Sequence, residues 1–186
     1  LLLFVLLIAT FAILSERFLT PTNFLNILAQ AAHIAIIAIG MTFVLLVAGI
    51  DLSVGANMYA SCIVVALYMK GMHPVFGFTV AGVLGLLFGA FNALMIVKLR
   101  VPAFIATLST LFIGRAIALY LSGVKIVGFG REILLLGRTS YFGVPMAIWI
   151  FLAVFLMAWI VLRQTTFGRQ IYAVGADPEA ARRPVS

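Results

Sequence analysis

Residues 75–97 read VFGFTVAGVLGLLFGAFNALMIV, and this stretch contains no charged side chain. About 20 mostly apolar residues are enough for an α-helix to cross the hydrocarbon core of a bilayer. The stretch also lacks the alternation of apolar and polar residues that marks a membrane-spanning β-strand. It therefore predicts a transmembrane helix.

Similar apolar runs occur before and after this helix, although the first is too short for a complete span. They cover residues 1–14, 27–48, 54–69, 101–121 and 146–162. Segments rich in proline, glycine, asparagine or serine separate them, and such residues form turns. We therefore predict an all-α, polytopic transmembrane helical bundle with about six spans, of which the first is partial.

The composition agrees with a bilayer as the main solvent. Hydrophobic residues make up 65% of the chain and charged residues 9%, and the mean hydropathy is +1.27. Soluble globular domains contain about 25% charged residues, and disordered chains combine low hydrophobicity with high charge. Both classes are excluded, and the chain is predicted to be an integral membrane protein in contact with lipid.

The net charge of +7 does not indicate nucleic-acid binding. The cations lie at the ends of apolar runs, as at Lys70, Lys98 and Arg163, where they suit lipid headgroups and the positive-inside rule. The only cysteine, Cys62, lies within an apolar run, which excludes an internal disulfide or a cysteine-based metal site. We expect Cys62 to be an inert packing residue, and we predict no metal and no nucleic-acid partner.

The longest interruption, residues 122–145, is predicted to be a loop with a short interfacial or re-entrant helix around residues 133–136. Alternating spans would place residues 15–26, 70–74 and 122–145 on one side, opposite residues 98–100 and 163–186. The second side then carries six lysines and arginines against five, which makes it the predicted cytoplasmic side.

The second span carries Gln30 and His33 on one helical face with Ile37 and Gly40, beside a stripe of small residues. Polar and small residues are tolerated inside a helix bundle or against a water-filled cavity. The pattern predicts that this span is central rather than lipid-facing. Gln30 and His33 either line a polar pathway or form hydrogen bonds between helices, and the second interpretation is favoured for His33.

The string GIDLSVG, residues 49–55, interrupts the apolar sequence after the second span. Asp51 or Ser53 can cap the helix that follows by accepting its free N–H groups. Asn57 and Ser61 continue a polar face into that helix, one turn apart, which a cap alone does not explain. We therefore expect a hydrated or inter-helix environment on this face.

The fourth span places Gly82, Gly85, Gly89 and Asn92 on one face, which predicts close contact with another helix. An amide inside a span needs a hydrogen-bond partner, so Asn92 is expected to find one on a neighbouring element.

The fifth span carries Thr107 and Thr110 on a face with alanine and glycine, and Arg115 lies about two turns from its end. Arg115 either extends to the membrane interface or makes a functional salt bridge or solute contact, and we favour the first. The candidates for lining a translocation pathway are Gln30, His33, Asp51, Ser53, Asn57, Asn92, Thr107, Thr110 and Arg115.

Several of these segments occur together in an order and spacing typical of one family. They are GIDLSVG at 49–55, Asn92, PAFIATL at 102–108, Arg115 and TFGRQIYAVG at 166–175. In this combination the chain resembles the permease subunits of the ribose, xylose, galactose and arabinose ABC importers. The first and last strings are specific, whereas the glycine spacing is common among membrane helices.

This resemblance implies that residues 1–186 are the N-terminal part of a single permease transmembrane domain in the bacterial inner membrane, which imports a monosaccharide or another small polar solute. It also implies three partners: a periplasmic sugar-binding protein, a cytoplasmic ATPase and a second permease chain, as in a homodimer. The sequence has no GxxxxGK[ST] loop, so ATP is expected on the ATPase and no cofactor on this chain.

Residues 163–186 resemble the family's cytoplasmic coupling segment, which docks on the ATPase. Asp177 can cap a short helix that has Pro178 in its first turn. After Ala181 the chain departs from the family pattern, which continues through a Ser-Gly-Ile-like turn into further spans. The residues expected to form the ATPase contact are Gly175, Asp177, Glu179, Ala180 and Ala181.

At its other end the chain begins with apolar residues and without methionine. No basic region precedes these residues, so they are expected to be the tail of a membrane helix, with a signal peptide as the alternative.

Two further alternatives come from other functional classes. An ion-coupled carrier or channel is expected to hold acidic residues in mid-span, and Asp51 is the only acidic residue adjoining the central spans. An intramembrane enzyme needs a nucleophile paired with a base, and the sequence contains no HExxH or GxSxG motif. We therefore predict no catalytic residue and no enzymatic activity.

Overall fold

A computed structural model describes residues 1–177, and these residues form helices with one small hairpin. The prediction of an all-α bundle is confirmed. The helices are α1 (Leu2–Leu14), α2 (Pro21–Leu46), α3 (Val54–Tyr68), α4 (Pro74–Ala93, continued by a π-helical turn, Leu94–Lys98), α5 (Ala103–Ser122), α6 (Arg131–Arg138), α7 (Met146–Gln164) and α8 (Thr166–Ala176). The hairpin pairs β1 (Ser140–Tyr141) with β2 (Val144–Pro145).

Four of the described helices are long and apolar enough to cross a membrane: α2, α4 with its π-helical turn, α5 and α7. The first predicted span forms α1, an apolar helix of 13 residues that is shorter than the four long helices. The predicted helix over residues 54–69 is confirmed as α3. With 15 residues, or about 22 Å, it is nevertheless shorter than the hydrocarbon core of about 30 Å.

Local sequence explains where the long helices begin and end. α2 starts after Thr20, whose hydroxyl accepts a hydrogen bond from the N–H of Asn23, and Pro21 takes the first helical position. α4 starts in a similar way after His73. α5 ends at Ser122, and Gly123 follows as its C-cap. Gly123 has a φ of +60°, a conformation that glycine adopts without strain.

α3 and α5 form the centre of the described bundle, and their contact is built from small residues. Ala60 of α3 and Ala118 of α5 are both buried in one cluster. Small side chains let two membrane helices approach closely. At Gly114 of α5, an added Cβ would lie 2.8 Å from the ring of Phe88 and 3.3 Å from the Cβ of Ala56.

The prediction that the second span is central is wrong for the described residues. α2 packs mainly along α7, and Ala32 is its single buried residue in the described structure. Gln30 and His33 are exposed. The alanines of α3 and α5 face each other, so these two helices take the central place instead.

The glycine face of α4 is used only in part. An added Cβ at Gly85 would lie 3.7 Å from the amide nitrogen of Asn57, whereas a Cβ at Gly82 or Gly89 would meet no described atom within 4 Å. The prediction of a close helix contact is therefore confirmed at Gly85 and wrong at Gly82 and Gly89 within the described structure. The tightest glycine of this helix is Gly77, which packs against α3 and α6.

The short helix predicted in the loop of residues 122–145 is confirmed as α6, which contacts α4 and α7. The hairpin after it carries no sequence signal, because two-residue strands are too short to show alternation. Its turn contains Phe142 and Gly143, both with positive φ, which matches the twist that a tight hairpin needs.

Contacts between loops and helix ends place the connections on two sides of the bundle. An added Cβ at Gly130 would lie 3.3 Å from Cα of Lys70, so the loop of residues 122–145 shares a side with residues 70–74. On the other side, Gly175 of α8 lies against the Leu46 carbonyl at the end of α2. These relative positions agree with alternating spans. The side that faces the cytoplasm stays a prediction.

α8 follows α7 after a one-residue break and forms the start of the predicted coupling segment. Thr165 is its N-cap, and the Thr165 hydroxyl accepts a hydrogen bond from the N–H of Gly168. Gly175 lies inside this helix, and Asp177 follows its end. The other residues expected to contact the ATPase lie outside the described residues, namely Glu179, Ala180 and Ala181.

Candidate functional site

The loop between α2 and α3 folds around Asp51. The Asp51 carboxylate accepts hydrogen bonds from the N–H of Ser53 at 2.8 Å and from the Ser53 hydroxyl at 2.6 Å. This is an Asx turn, in which a side chain replaces a backbone acceptor. Ser53 therefore occupies the N-cap position of α3 without a side-chain bond to that helix, which corrects the predicted capping role.

Asn92 of α4 joins this loop to α5. Its Nδ2 donates to Ser53 Oγ at 2.9 Å, and its Oδ1 accepts from the Thr110 hydroxyl at 2.8 Å. The Ser53 hydroxyl can accept from Asn92 and donate to Asp51 at the same time, so donors and acceptors match throughout. We call these four residues, Asp51, Ser53, Asn92 and Thr110, the polar network.

Thr107 brings the same loop against α5. Its hydroxyl lies 2.8 Å from the carbonyl oxygen of Ala103 and 3.4 Å from that of Ile50. Among the described residues, no buried side-chain nitrogen or oxygen lacks a hydrogen-bond partner. Because the network is bonded throughout and largely buried, it fixes the loop relative to α4 and α5. The buried members of this region are Ser53, Asn92, Thr107 and Thr110.

The backbone of α4 changes from α-helical to π-helical geometry at Leu94–Lys98, two residues after Asn92. The connection to α5 then turns at Arg100, a non-glycine residue with a φ of +57°. π-helical turns are rare and occur frequently at functional sites. Two irregular backbone segments thus adjoin the polar network: this turn, and residues 47–53, which contain Asp51 and Ser53.

A cavity of about 370 Å³ lies beside α3 and α4, and we call it the α3–α4 cavity. Asn57 and Ser61 line it among mainly apolar side chains, and the Ser61 hydroxyl lies 3.3 Å from Asn57 Oδ1. Phe129 and Ile133 reach it from the loop that contains α6. The polar face predicted for α3 therefore borders a cavity and does not face lipid alone.

A second cavity, of about 400 Å³, lies between α3 and α5, and we call it the α3–α5 cavity. Arg115 is the charged residue that lines it, opposite Tyr59 of α3. The residues lining this cavity are Gly55, Ala56, Tyr59, Leu111, Arg115 and Leu119.

The structure brings most of the candidate pathway residues into two groups. One group meets at the start of α3, and it consists of Asp51, Ser53, Asn92, Thr107 and Thr110. A second group lines the two cavities, and it consists of Asn57 and Arg115. Gln30 and His33 join neither group. The sequence does not single out Tyr59 or Phe129, because an aromatic residue in an apolar run carries no signal of its own.

A family model described as the permease component of branched-chain amino acid transport systems matches residues 23–183. The chain belongs to this permease family. Together with the apolar helices, this membership makes the chain a multi-pass protein of the bacterial inner membrane.

Curated relatives confirm the resemblance to permeases of sugar importers. The chain is 39% identical to the ribose import permease protein of Bacillus subtilis over 183 residues, which are 96% of this chain and 56% of the relative. It is 36% identical to the D-allose transport system permease protein of Escherichia coli over 180 residues, 95% of this chain and 55% of the relative. It is 35% identical to the autoinducer 2 import system permease protein of Klebsiella pneumoniae over 183 residues, 97% and 52% respectively.

The chain therefore spans about half the length of the curated relatives it matches. No solved structure matches it.

Proposed function

We propose that the chain is the N-terminal part of the membrane-spanning subunit of an ATP-driven importer for a monosaccharide. The observation that carries this proposal is the 39% identity to a ribose import permease along 96% of the chain. The geometry supports it, because Asn57, Ser61 and Arg115 border cavities beside α3, as expected where a polar solute crosses a membrane. The side chains of the permease then provide a path, and no enzymatic activity is proposed for them.

Three partners belong to this proposal. A cytoplasmic ATPase binds ATP, a periplasmic protein delivers the sugar, and a second permease chain, identical in the simplest assembly, completes the pathway. The description of the matching family as a component of a transport system supports partners of this kind. The permease itself then needs no cofactor.

The ATPase contact is assigned to residues 163–186, with Gly175, Asp177, Glu179, Ala180 and Ala181 as its contact residues. The position of α8 supports this assignment, because α8 begins directly after a span and lies against the end of α2. The chain leaves α8 on the same side, which is the predicted cytoplasmic side.

Uptake by cells tests the function. A strain without its own ribose and allose importers receives the full-length permease with its ATPase and binding protein, and we expect it to accumulate radiolabelled D-ribose or D-allose. Omitting the ATPase should abolish accumulation. Accumulation that persists without the ATPase would contradict the proposal in favour of an ion-coupled carrier. Accumulation of autoinducer 2 alone would indicate another small polar solute.

Affinity capture tests the ATPase contact. In the full-length permease, Ala180→Glu with Ala181→Glu should abolish capture of the ATPase from detergent extracts, since a carboxylate would be buried without a partner. Ser140→Glu with Tyr141→Glu is the control, because both residues are exposed on the opposite side of the bundle. Undiminished capture by the Ala180 and Ala181 variant would place the contact elsewhere.

A further inference from the structure

Arg115 lies deep within a membrane-spanning helix. α5 ends at Ser122, seven residues further on, which places the Arg115 Cα about 10 Å from the nearer helix end. Ionised residues at such a depth are rare, and they almost always face the bundle interior or a water-filled cavity. Arg115 therefore needs a polar environment within the membrane.

The described residues supply no such partner. Among them, Arg115 makes no ion pair and no hydrogen bond. Its guanidinium nevertheless has five N–H donors in a planar fork, suited to two neighbouring oxygen atoms. The Arg115 side chain is exposed and lines the α3–α5 cavity, so whatever satisfies these donors lies outside the described residues.

The cavity has the size and lining of a site for a small molecule. Its volume of about 400 Å³ lies within the range of about 300–1,000 Å³ found for such sites. Gly55 borders open space, since an added Cβ there would meet no described atom within 4 Å. Tyr59 adds an aromatic ring and a hydroxyl opposite the guanidinium, and alanine and leucine form the rest of the wall.

We propose that the α3–α5 cavity is a contact site for the transported solute, and that Arg115 donates hydrogen bonds to two neighbouring hydroxyls of an uncharged, polyhydroxylated molecule. The Tyr59 ring would lie against its apolar C–H face. The choice of solute rests on the proposed function, whereas hydration of the cavity follows from the position of Arg115 alone. An anionic lipid headgroup is the alternative partner of Arg115, because a long arginine side chain can extend toward the membrane interface.

Cysteine accessibility tests the proposal in the full-length permease, assembled with its ATPase and binding protein in lipid vesicles. Cys62→Ser removes the natural cysteine, and Leu111→Cys or Phe112→Cys then adds one to α5. Leu111 lines the cavity, whereas its neighbour Phe112 is exposed away from it. The probes are an anionic and a cationic methanethiosulfonate reagent, which react with the thiolate that forms in water.

A hydrated cavity should make Leu111→Cys react at least about tenfold faster than Phe112→Cys. Adding Arg115→Met should lower the ratio of the anionic to the cationic rate about fivefold, the factor that corresponds to about 1 kcal/mol of attraction. Arg115→Lys should restore most of this ratio, because it restores the charge. Millimolar D-ribose or D-allose should slow the reaction of Leu111→Cys.

Equal rates at the two cysteines would overturn the proposal, since the cavity would then be dry. Fast labelling of Leu111→Cys that neither sugar slows would also overturn it, if the same complex imports one of them. Labelling rates of Leu111→Cys that change with the phosphatidylglycerol content of the vesicles would show that a lipid occupies the cavity, which would also overturn the proposal. Failure of the proposed function itself is recognised separately, by absence of uptake with the unsubstituted complex.

Discussion

Asn92 bonds both to the loop before α3 and to α5, so its removal tests the polar network. Asn92→Leu deletes the bonds to Ser53 and Thr110 and keeps the same branched arrangement of side-chain heavy atoms. Hydrogen bonds between transmembrane helices average about 0.6 kcal/mol and reach about 1.7 kcal/mol. The substitution should therefore lower the free energy of unfolding of the full-length permease by about 1–2 kcal/mol, measured by titration with dodecyl sulfate in mixed micelles.

Asn26→Leu is the matched control for this substitution. The Asn26 side chain is exposed on α2 and makes no hydrogen bond within the described residues. Its replacement should leave the free energy of unfolding unchanged. Equal losses from the two variants would show that the network contributes nothing specific to stability.

The members of the polar network could be chosen from the sequence, but their pairing could not. A serine, asparagine or threonine stands out in an apolar run because polar groups are expensive in lipid. The bonds, however, join Ser53 to Asn92 across 39 positions and Asn92 to Thr110 across 18. Helical periodicity shows which residues share a face of one helix. It does not show which faces of separate helices meet.

At the scale of helices, the contact between α4 and α5 depends on Gly114. An added Cβ there would lie 2.8 Å from the ring of Phe88, so Gly114→Leu should displace that ring at a cost of about 1–3 kcal/mol. Gly89→Leu should be tolerated, because a Cβ at Gly89 would meet no described atom within 4 Å. The fraction of full-length permease that elutes as a single species after detergent extraction measures both effects. Equal loss from the two variants would contradict this difference.

The close approach of α8 to α2 makes Gly175 a second test of packing between helices. An added Cβ at Gly175 would overlap the carbonyl oxygen of Leu46, which is backbone and cannot rotate away. Gly175→Ala should therefore separate α8 from α2, expose the segment to limited proteolysis and weaken capture of the ATPase. Gly137→Ala in α6 is the matched control, because a Cβ there meets no described atom within 4 Å and alanine favours a helix. Similar proteolysis of both variants would argue against a tight α2–α8 contact.

The bounds of the predicted spans lie within about two residues of the helices, because the length of an apolar run is a local property of the sequence. The start of α2 is the exception, since this helix begins at Pro21 and was predicted to begin at Ile27. The glycine spacing of α4, in contrast, predicted a contact that is present at Gly85 and absent at Gly89 within the described structure. Spacing identifies glycines that could admit a neighbouring helix, whereas the neighbour is decided by packing elsewhere. α8 was not predicted as a separate helix, because only one residue, Thr165, separates it from α7.

At the scale of the whole molecule, the described contacts determine which connections share a side of the membrane. Lys70 and Gly130 lie together at one end of the bundle, and Leu46 and Gly175 lie together at another helix end. Alternation of the spans places these two pairs on opposite sides. The excess of one lysine or arginine on the side of residues 163–186 predicts that this side is cytoplasmic.

Cysteine labelling in intact cells tests this orientation. In the full-length permease carrying Cys62→Ser, Gly128→Cys should react with a membrane-impermeant maleimide added outside, because residue 128 is exposed on the predicted outer side. Lys70→Cys should behave in the same way, since Lys70 lies against the same loop. Gln170→Cys, on an exposed position of α8, should react only after the cells are permeabilised.

Two outcomes would contradict this model in different ways. If Gln170→Cys alone were labelled in intact cells, the orientation would be the reverse of the predicted one, but the assignment of loops to the same side would still hold. Opposite behaviour of Lys70→Cys and Gly128→Cys would contradict the pairing itself. Lys70 lies against Gly130, two residues from Gly128, and such neighbours cannot lie on different sides of a bilayer about 30 Å thick.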